Sequence, residues 1–424
     1  MTMDTPKPRG SSLHRPLVDE RDDDEDDSKG TDRSDRSDRW LLSPLRSPRD
    51  AAASCWSGFS RKLELAALAI LFKLPKVVSS ALLDIAYGRR VSAEGVGLET
   101  KTQVALRLGQ VLGRRFDLID FLRQDLRKGR KAFARMLSQP KHGGVRAEHV
   151  TISSAAPHHD IAARIYTPEA LVGSDVPLPV LLYFHGGGWV LGGIDTTEGF
   201  LSSLAHWAKC AVVSVDYRLA PEHPFPAALE DAERSFEWAA GEAELRGWDP
   251  RKILVGGDSA GGNLAAALCQ ACVLRDLPVR PSAQVLLFPS LYLGPDALEK
   301  YPSIHLFGGD SFYALPFKAM AYFRDAYLGP AQDGLDPRVS PLLGSETVLS
   351  RLPPAYFGLC HFDVLRDEGR DYARRLRESG VPVELDEYRG HHGLLYLYGK
   401  VPYAKECLGR VARFLRGHMY PHKL

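Results

Sequence analysis

The sequence of 424 residues is short of cysteine, and the way its few thiols are spaced excludes two kinds of structural site. Its cysteines are scattered through the chain, at positions 55, 210, 269, 272, 360 and 407. Thiols scattered in this way argue against a disulfide framework. Cys269 and Cys272 have C-x-x-C spacing, but they lie inside a predicted helix and no second pair completes a zinc site. We therefore predict no metal and no organic cofactor.

The chain also has almost no excess of charge of either sign. Its formal net charge is +1, from 54 basic and 53 acidic side chains. A nucleic-acid-binding surface needs clustered lysine and arginine, because phosphate contacts supply most of its affinity. No such stripe, interleaved with aromatic residues, occurs along the chain. We therefore predict that nucleic acid is not a partner.

Long hydrophobic runs are lacking in the N-terminal part, where an apolar stretch extends only from Leu63 to Phe72 before Lys73 and Pro75 interrupt it. About 20 apolar residues are needed to cross a bilayer. Two hypotheses remain for residues 63–88, namely a helix packed over the rest of the protein or a helix lying on a membrane surface. The charged residues and the proline favour the packed helix, and peripheral membrane contact remains the alternative.

Residues 1–57 are poor in apolar side chains and rich in acidic ones. An acidic run extends from Asp19 to Asp27, and an Asp-Arg-Ser repeat follows from Asp32 to Arg39. Such a segment cannot bury enough apolar surface to offset its ordering entropy, so we predict that it is a disordered tail. It has no charged start followed by an apolar core, as a secretory signal would. We expect an intracellular, cytoplasmic protein.

What the rest of the chain contains is an alternation of strand and helix patterns. Eight segments are typical of strands: 150–153, 162–166, 180–184, 211–215, 253–255, 285–288, 355–359 and 383–387. This alternation predicts an α/β fold with a mostly parallel eight-stranded sheet and helices on both faces. We assign residues 146–424 to this domain and residues 58–145 to a helical N-terminal cap. Between 180–184 and 211–215 we predict a helix that begins with a capping box formed by Asp195 and Glu198.

One glycine-rich segment has the pattern of a nucleophile elbow. It consists of Gly257, Asp258, Ser259, Ala260 and Gly261, between the apolar run 253–255 and an alanine-rich helical stretch. Glycines on both sides of the serine allow a tight turn that exposes its hydroxyl group above the sheet. The helix that begins at Ala260 directs its positive end toward a developing anion. The pattern alone is weak, because small residues cluster in many turns.

A second glycine cluster strengthens this interpretation. His185, Gly186, Gly187 and Gly188 directly follow the apolar strand pattern 180–184. Backbone N–H groups of glycines can approach a carbonyl oxygen closely and stabilise the negative charge that ester hydrolysis builds there. The alternative of a dinucleotide-binding loop is disfavoured, because no G-x-G-x-x-G with a downstream acid is present.

With these motifs the chain resembles the hormone-sensitive lipase family of α/β-hydrolases, which includes bacterial esterases, arylacetamide deacetylases and plant carboxylesterases. The resemblance covers residues 150–420 and rests on five segments in the family's order: 185–189, 216–228, 257–265, 363–369 and 392–393. It implies an α/β-hydrolase fold with a helical cap and a triad of Ser259, Asp363 and His392. It also implies an oxyanion hole formed by the N–H groups of Gly187, Gly188 and Ala260.

The acid and the base have rivals nearby in the sequence. A serine needs a histidine base and a carboxylate to orient it, in the order serine, acid, histidine in this fold. Asp367 and Glu368 could replace Asp363, but they have the position of first-turn acids of a helix that ends near Ser379. His391 could replace His392, and the spacing around both departs from the family pattern; we favour His392 because Gly393 follows it.

The function that we expect is hydrolysis of an apolar small-molecule ester, with a short-to-medium acyl group, by a serine carboxylesterase or deacetylase. An insertion at 290–350 adds many aromatic residues, which predict a second part of the cap and an apolar pocket. A non-hydrolytic small-molecule receptor of the same fold and a membrane-surface lipase remain alternatives. The sequence makes no prediction of oligomeric state.

Overall fold

The structure is a computed structural model that describes residues 96–98, 100, 102–104, 106, 118–153, 159–309, 313–330 and 332–420. The predicted disordered tail and the apolar stretch from Leu63 to Phe72 lie outside these residues. Across the part of the chain that is described, none of the helices combines the length and apolarity needed to cross a membrane.

A single sheet of eight strands has the order β1-β2-β4-β3-β5-β6-β7-β8. The strands are β1 (Val145–Ile152), β2 (Ile161–Pro168), β3 (Leu178–Phe184), β4 (Ala211–Asp216), β5 (Trp248–Asp258), β6 (Gln284–Leu287), β7 (Ala355–Phe362) and β8 (Val383–His391). β2 pairs antiparallel with β1 and β4, whereas the strands from β4 across to β8 are parallel. The predicted mostly parallel, eight-stranded sheet is confirmed, and each predicted strand segment lies in or overlaps one strand.

Helices precede, connect and follow these strands. They are α1 (Leu118–Gln124), α2 (Leu126–Leu137), α3 (Ile194–Ala208), α4 (Ala227–Gly241), α5 (Ala260–Leu274), α6 (Ala297–Lys300), α7 (Pro302–Gly308), α8 (Phe317–Leu328), α9 (Glu346–Leu349), α10 (Arg366–Glu378) and α11 (Pro402–Met419). Short 3₁₀ helices span Glu169–Leu171, Pro341–Leu343 and Leu394–Leu397.

The core lies on both faces of the sheet because side chains alternate along each strand. On β3, Val180 and Leu182 pack on one face with residues of α4, α5 and α10. Leu181 and Tyr183 pack on the opposite face with residues of α3 and α11. Every residue of β3 is buried, as expected for a central parallel strand that helices cover on both sides.

The helices α1 and α2 pack on the loop that follows β3, together with α8 from the 290–350 insertion. Ile119 and Leu122 of α1 form a buried cluster with Val190 and Leu191 of that loop and with Ala319 of α8. Lys318 of α8 donates a hydrogen bond to Asp120 of α1 at 2.5 Å. Two segments that are far apart in sequence therefore cover the same end of the sheet.

The predicted capping box at the start of α3 is wrong. The N-cap residue is Gly193, and no side chain caps the helix. Asp195 and Glu198 instead accept hydrogen bonds from Arg164 of β2, at 2.8 and 3.2 Å. Because the Arg164 side chain is only 8% exposed, its charge requires carboxylate partners, and this requirement takes precedence over local capping.

The cysteines at 210, 269, 272, 360 and 407 are buried and have free thiols. Cys269 and Cys272 lie inside α5, as the sequence predicted, and they pack in the core. Burial raises the pKa of Cys210 and of Cys272 to about 12, so both thiols stay protonated and unreactive at neutral pH.

Candidate active site

Ser259 occupies a sharp turn between a strand and a helix. β5 ends at Asp258 and α5 begins at Ala260, so the serine is the one residue between them. Its backbone has φ 56° and ψ −117°, which is a strained conformation for a residue with a side chain. The N–H of Ser259 donates to the carbonyl oxygen of Leu287 at 2.9 Å and helps to hold the turn.

The glycines around Ser259 are required by close approach of backbones. A Cβ atom on Gly261 would overlap the carbonyl oxygen of Phe184, at the end of β3. A Cβ atom on Gly257 would overlap the backbone of Gly261 and lie 2.6 Å from the same Phe184 oxygen. The start of α5 is therefore packed directly on the end of β3, which brings the serine next to the glycine cluster that follows that strand.

The structure brings Ser259, His392 and Asp363 together. The Oγ atom of Ser259 lies 2.9 Å from Nε2 of His392. The Nδ1 atom of His392 lies 3.0 and 3.1 Å from the two carboxylate oxygens of Asp363. Each of the three residues is the first after a strand, namely β5, β8 and β7, and these strands are parallel. Their side chains therefore meet at the carboxyl edge of the sheet.

The partners of His392 determine its tautomer. Asp363 is only 1% exposed, and its carboxylate can accept but not donate, so Nδ1 carries a proton. In the neutral ring Nε2 is then an acceptor that faces the hydroxyl group of Ser259. The ring of Phe288 packs edge-on against the imidazole at a centroid distance of 5.4 Å. This arrangement is that of a nucleophile, a base and an orienting carboxylate.

His391 is placed differently from its neighbour. It is 5% exposed, and its Nδ1 donates to the carbonyl oxygen of His392 at 2.5 Å. Its Nε2 is buried and finds no hydrogen-bond partner among the described residues. Burial lowers the pKa of His391 to about 4, so this ring is neutral at physiological pH.

The two rival carboxylates also have other partners. Asp367 and Glu368 lie in the first turn of α10, which ends before Ser379, as the sequence predicted. Asp367 accepts a hydrogen bond from the N–H of Ser303 at 2.8 Å. Glu368 accepts one from the N–H of Leu291 at 2.7 Å. Within the described part of the chain, neither side chain is hydrogen-bonded to a histidine.

The loop after β3 presents backbone N–H groups toward the same region. Gly187 and Gly188 have φ values of 122° and 62°, which favour glycine. Among the described residues, no group accepts a hydrogen bond from either of their N–H groups. Ala260 is the first residue of α5, where a helix leaves its N–H without an intrahelical partner. A Cβ atom on Gly188 would overlap the ring of Phe323 of α8, so α8 closes this side of the site.

Asp258 joins three parts of the site through one buried carboxylate. Its Oδ1 accepts from Tyr183 of β3 at 2.9 Å and from the N–H of Gly186 at 3.0 Å. Its Oδ2 accepts from Tyr396, four residues after His392, at 2.9 Å. Burial raises the pKa of Asp258, and the hydrogen bonds from Tyr183 and Tyr396 lower it. The carboxylate thus ties the serine turn to the glycine loop and to the histidine loop.

His185 supports the glycine loop without reaching the serine. Its ring stacks on Tyr217 at a centroid distance of 4.3 Å, and the Tyr217 hydroxyl group donates to the His185 carbonyl oxygen at 2.7 Å. Nδ1 donates to the carbonyl oxygen of Gly186 at 2.8 Å. Burial lowers the pKa of His185, which favours the neutral ring.

A metal site does not emerge from the described part of the chain, where no group of three or more His, Cys, Asp or Glu side chains is arranged to hold an ion. Sequence reasoning missed the parts played by Tyr396 and Phe288, because their only signal was aromatic character, which does not distinguish them from ordinary core. Phe323 lies in the 290–350 insertion, whose aromatic residues predicted an apolar pocket. Asp258 was noted as part of a motif, but its three donors come from distant segments.

Comparison with known proteins gives three findings. A family with the description alpha/beta hydrolase fold matches residues 181–395. The chain is 36% identical over 339 residues to the carboxylic ester hydrolase LipN of Mycobacterium tuberculosis, across 77% of this chain and 84% of that protein. It is 36% identical over 266 residues to ethyl acetate hydrolase of Pseudomonas putida, across 62% of this chain and 80% of that protein.

The solved structures agree with these relatives. The hyperthermophilic esterase of the archaeon Pyrobaculum calidifontis is similar to this chain with a TM-score of 0.64 and 34% identity, covering 74% of this chain and 97% of that chain. An ester hydrolase from the metagenome of Lake Arreo, solved with a bipyridine phosphonate derivative, has a TM-score of 0.67 and 34% identity, covering 75% of this chain and 98% of that chain.

The buried carboxylate of Asp258 leads to a stability prediction. Asp258→Ala leaves the hydroxyl groups of Tyr183 and Tyr396 and the N–H of Gly186 without their acceptor. Each unsatisfied buried group costs about 1–3 kcal/mol, so for these three groups we expect the free energy of unfolding to fall by about 3–9 kcal/mol. Tyr396→Phe removes one donor and should cost about 1–2 kcal/mol. Urea unfolding of both variants measures the difference, and equal losses would contradict the shared role of the carboxylate.

Proposed function

Because this chain belongs to the α/β-hydrolase family, among its hormone-sensitive-lipase-like esterases, we propose that Ser259, His392 and Asp363 hydrolyse small-molecule carboxylic esters through an acyl-enzyme. The observation that carries the proposal is the continuous chain of contacts from the serine hydroxyl group through the imidazole to the buried carboxylate, at 2.9 and 3.0 Å. Relatives that are 36–38% identical to this chain are ester hydrolases by name.

In the first half of the reaction, Oγ of Ser259 attacks the ester carbonyl carbon while Nε2 of His392 takes the hydroxyl proton. The carbonyl oxygen becomes an anion in the tetrahedral intermediate. We assign its stabilisation to the N–H groups of Gly187, Gly188 and Ala260, since fixed donors cost no reorganisation when the charge develops. The intermediate collapses as the C–O bond to the alcohol breaks, and His392 returns the proton to the leaving oxygen.

In the second half, water repeats the same steps on the acyl-serine ester. His392 removes a proton from the water as it attacks, and the proton returns to Oγ when the acid leaves. Asp363 holds the ring so that Nε2 points at the serine in both halves. It also stabilises the imidazolium that each proton transfer creates. The net reaction consumes one water molecule and needs no other reactant.

The walls of the site favour an apolar substrate. Phe288 packs against His392, and Phe323 packs on Gly188. Trp189, next to the glycines, stacks on Tyr327 of α8 at a centroid distance of 4.2 Å. Aromatic side chains beside the histidine and beside the glycine loop match an apolar acyl or aryl group. The relative named for ethyl acetate is consistent with a small substrate.

The serine gives the direct test. Ser259→Ala should lower kcat for p-nitrophenyl acetate by about 10⁴-fold or more, because it removes the hydroxyl group that carries the acyl intermediate. The purified wild-type and variant proteins are compared by initial rates, and circular dichroism checks that both are folded. A wild-type protein without turnover on esters of any chain length would favour a receptor. Turnover by the alanine variant close to that of wild type would refute the mechanism.

The adjacent histidines provide a matched pair of variants. His392→Asn removes the base and should lower kcat by at least about 10³-fold. His391→Asn keeps a donor near the position of Nδ1 and should keep kcat within about threefold. Since His391 has a pKa of about 4, it is neutral throughout pH 5–9, so its replacement should leave the pH dependence of kcat/KM in that range unchanged. A loss confined to His391→Asn would reverse the assignment.

A further inference from the structure

Arg130 of α2 donates hydrogen bonds to two backbone carbonyl groups and to one carboxylate. Its Nε donates to the carbonyl oxygen of Val190 at 2.7 Å, and its Nη2 donates to that of Ala220 at 2.7 Å. Nη1 and Nη2 also donate to the two carboxylate oxygens of Glu222, each at 2.8 Å. The Arg130 side chain is 23% exposed and that of Glu222 is 51% exposed, so the bonds to the two carbonyl groups are partly buried whereas the ion pair lies at the surface.

The first of these carbonyl groups belongs to the glycine loop itself. Val190 follows Gly188 by two residues, and its N–H donates to the carbonyl oxygen of Gly187 at 3.2 Å. The N–H of Leu191 donates to the same Gly187 oxygen at 2.8 Å. The turn that aims the N–H groups of Gly187 and Gly188 is therefore closed by Val190 and Leu191, and Arg130 holds it from the outside.

The second carbonyl group belongs to Ala220, in a segment that is itself hydrogen-bonded to the glycine loop. The N–H of Ala220 donates to the carbonyl oxygen of Trp189 at 2.8 Å, so the 220 segment and the glycine loop are already joined. Arg130 bonds both sides of this junction at once. A planar guanidinium group can satisfy this arrangement, whereas an ammonium group at the end of a lysine cannot reproduce its spread of donors.

The chain after α2 reaches the other half of the site. Nε2 of Gln139 donates to the carbonyl oxygen of Tyr396 at 2.8 Å. The hydroxyl group of Tyr396 is bonded to Asp258. The N-terminal helical region thus contacts both the glycine loop and the histidine loop through side-chain bonds to their backbones.

We propose that Arg130 is a positioning residue for the oxyanion hole, acting through the carbonyl oxygens of Val190 and Ala220. This inference rests on the proposed function, because it concerns the transition state of the same reaction. Displacing catalytic groups by a fraction of an ångström lowers the rate more than it lowers substrate affinity. The N-terminal region is then part of the catalytic apparatus as well as a cover.

The variants Arg130→Lys and Glu222→Gln separate the possible roles of the guanidinium group. Arg130→Lys keeps the charge opposite Glu222 but loses the paired bonds to the two carbonyl groups. Glu222→Gln weakens the ion pair but leaves those bonds in place. Arg127→Ala is the matched control, since Arg127 is an exposed residue of the same helix.

Steady-state kinetics with p-nitrophenyl acetate give the first measurement. We expect Arg130→Lys to lower kcat by about tenfold or more and to change KM by less than about threefold, as for partial loss of oxyanion stabilisation. Inhibition by an aryl trifluoromethyl ketone, whose serine adduct carries an oxyanion, should weaken by a similar factor. Glu222→Gln and Arg127→Ala should each retain kcat within about threefold.

Hydrogen–deuterium exchange on the full-length proteins gives a measurement that does not require turnover. In Arg130→Lys the amides of Val190 and Leu191 should exchange faster by about tenfold, while those of β7 keep the wild-type rate. Unchanged exchange in the loop would overturn the proposal whatever the activity. Faster exchange with wild-type kcat and inhibitor affinity would overturn the link to catalysis. An inactive wild-type protein would instead refute the proposed function, and exchange would still decide whether Arg130 holds the loop.

Discussion

The contact between the end of β3 and the start of α5 is the constraint on which the rest of the site depends. Two backbones meet there with no room for a side chain, because a Cβ atom on Gly261 would overlap the carbonyl oxygen of Phe184. This approach places the N–H of Ala260 and the glycine loop on the same side of Ser259. It also forces the serine into φ 56°, a conformation that costs about 1–3 kcal/mol and persists only where the surroundings determine it.

The buried side chain of Asp258 connects this turn to the rest of the site through hydrogen bonds. Asp258 is the last residue of β5, directly before the serine, yet its hydrogen-bond donors come from β3, from the glycine loop and from the segment after His392. Burial raises the pKa of Tyr183 and of Tyr396 well above the usual range, so both remain donors at any physiological pH. Since an unpartnered carboxylate is costly inside a protein, the three segments keep their relative positions.

Local patterns predicted the sheet and the composition of the candidate site. Strand runs such as 180–184 are apolar throughout because both faces of a central strand are covered, and the order of strands and turns followed from them. Ser259, Asp363 and His392 each follow a strand by one residue, so a sequence pattern marks their positions. The capping-box prediction was wrong because Asp195 and Glu198 bind Arg164, which is distant in sequence. The contacts of Arg130, Gln139 and Tyr396 join segments that no local pattern connects.

The cover of the site has two origins in the chain. Lys318 and Asp120, which join α8 to α1, are 198 positions apart. We therefore expect substrate selectivity to depend on both stretches, which can mutate independently but must fit each other. Transplanting either stretch alone from a relative would break their mutual packing, whereas exchanging both together would keep it. Divergence of specificity in such a protein then requires coordinated change, and laboratory evolution that randomises both stretches at once samples combinations that single-region libraries cannot reach.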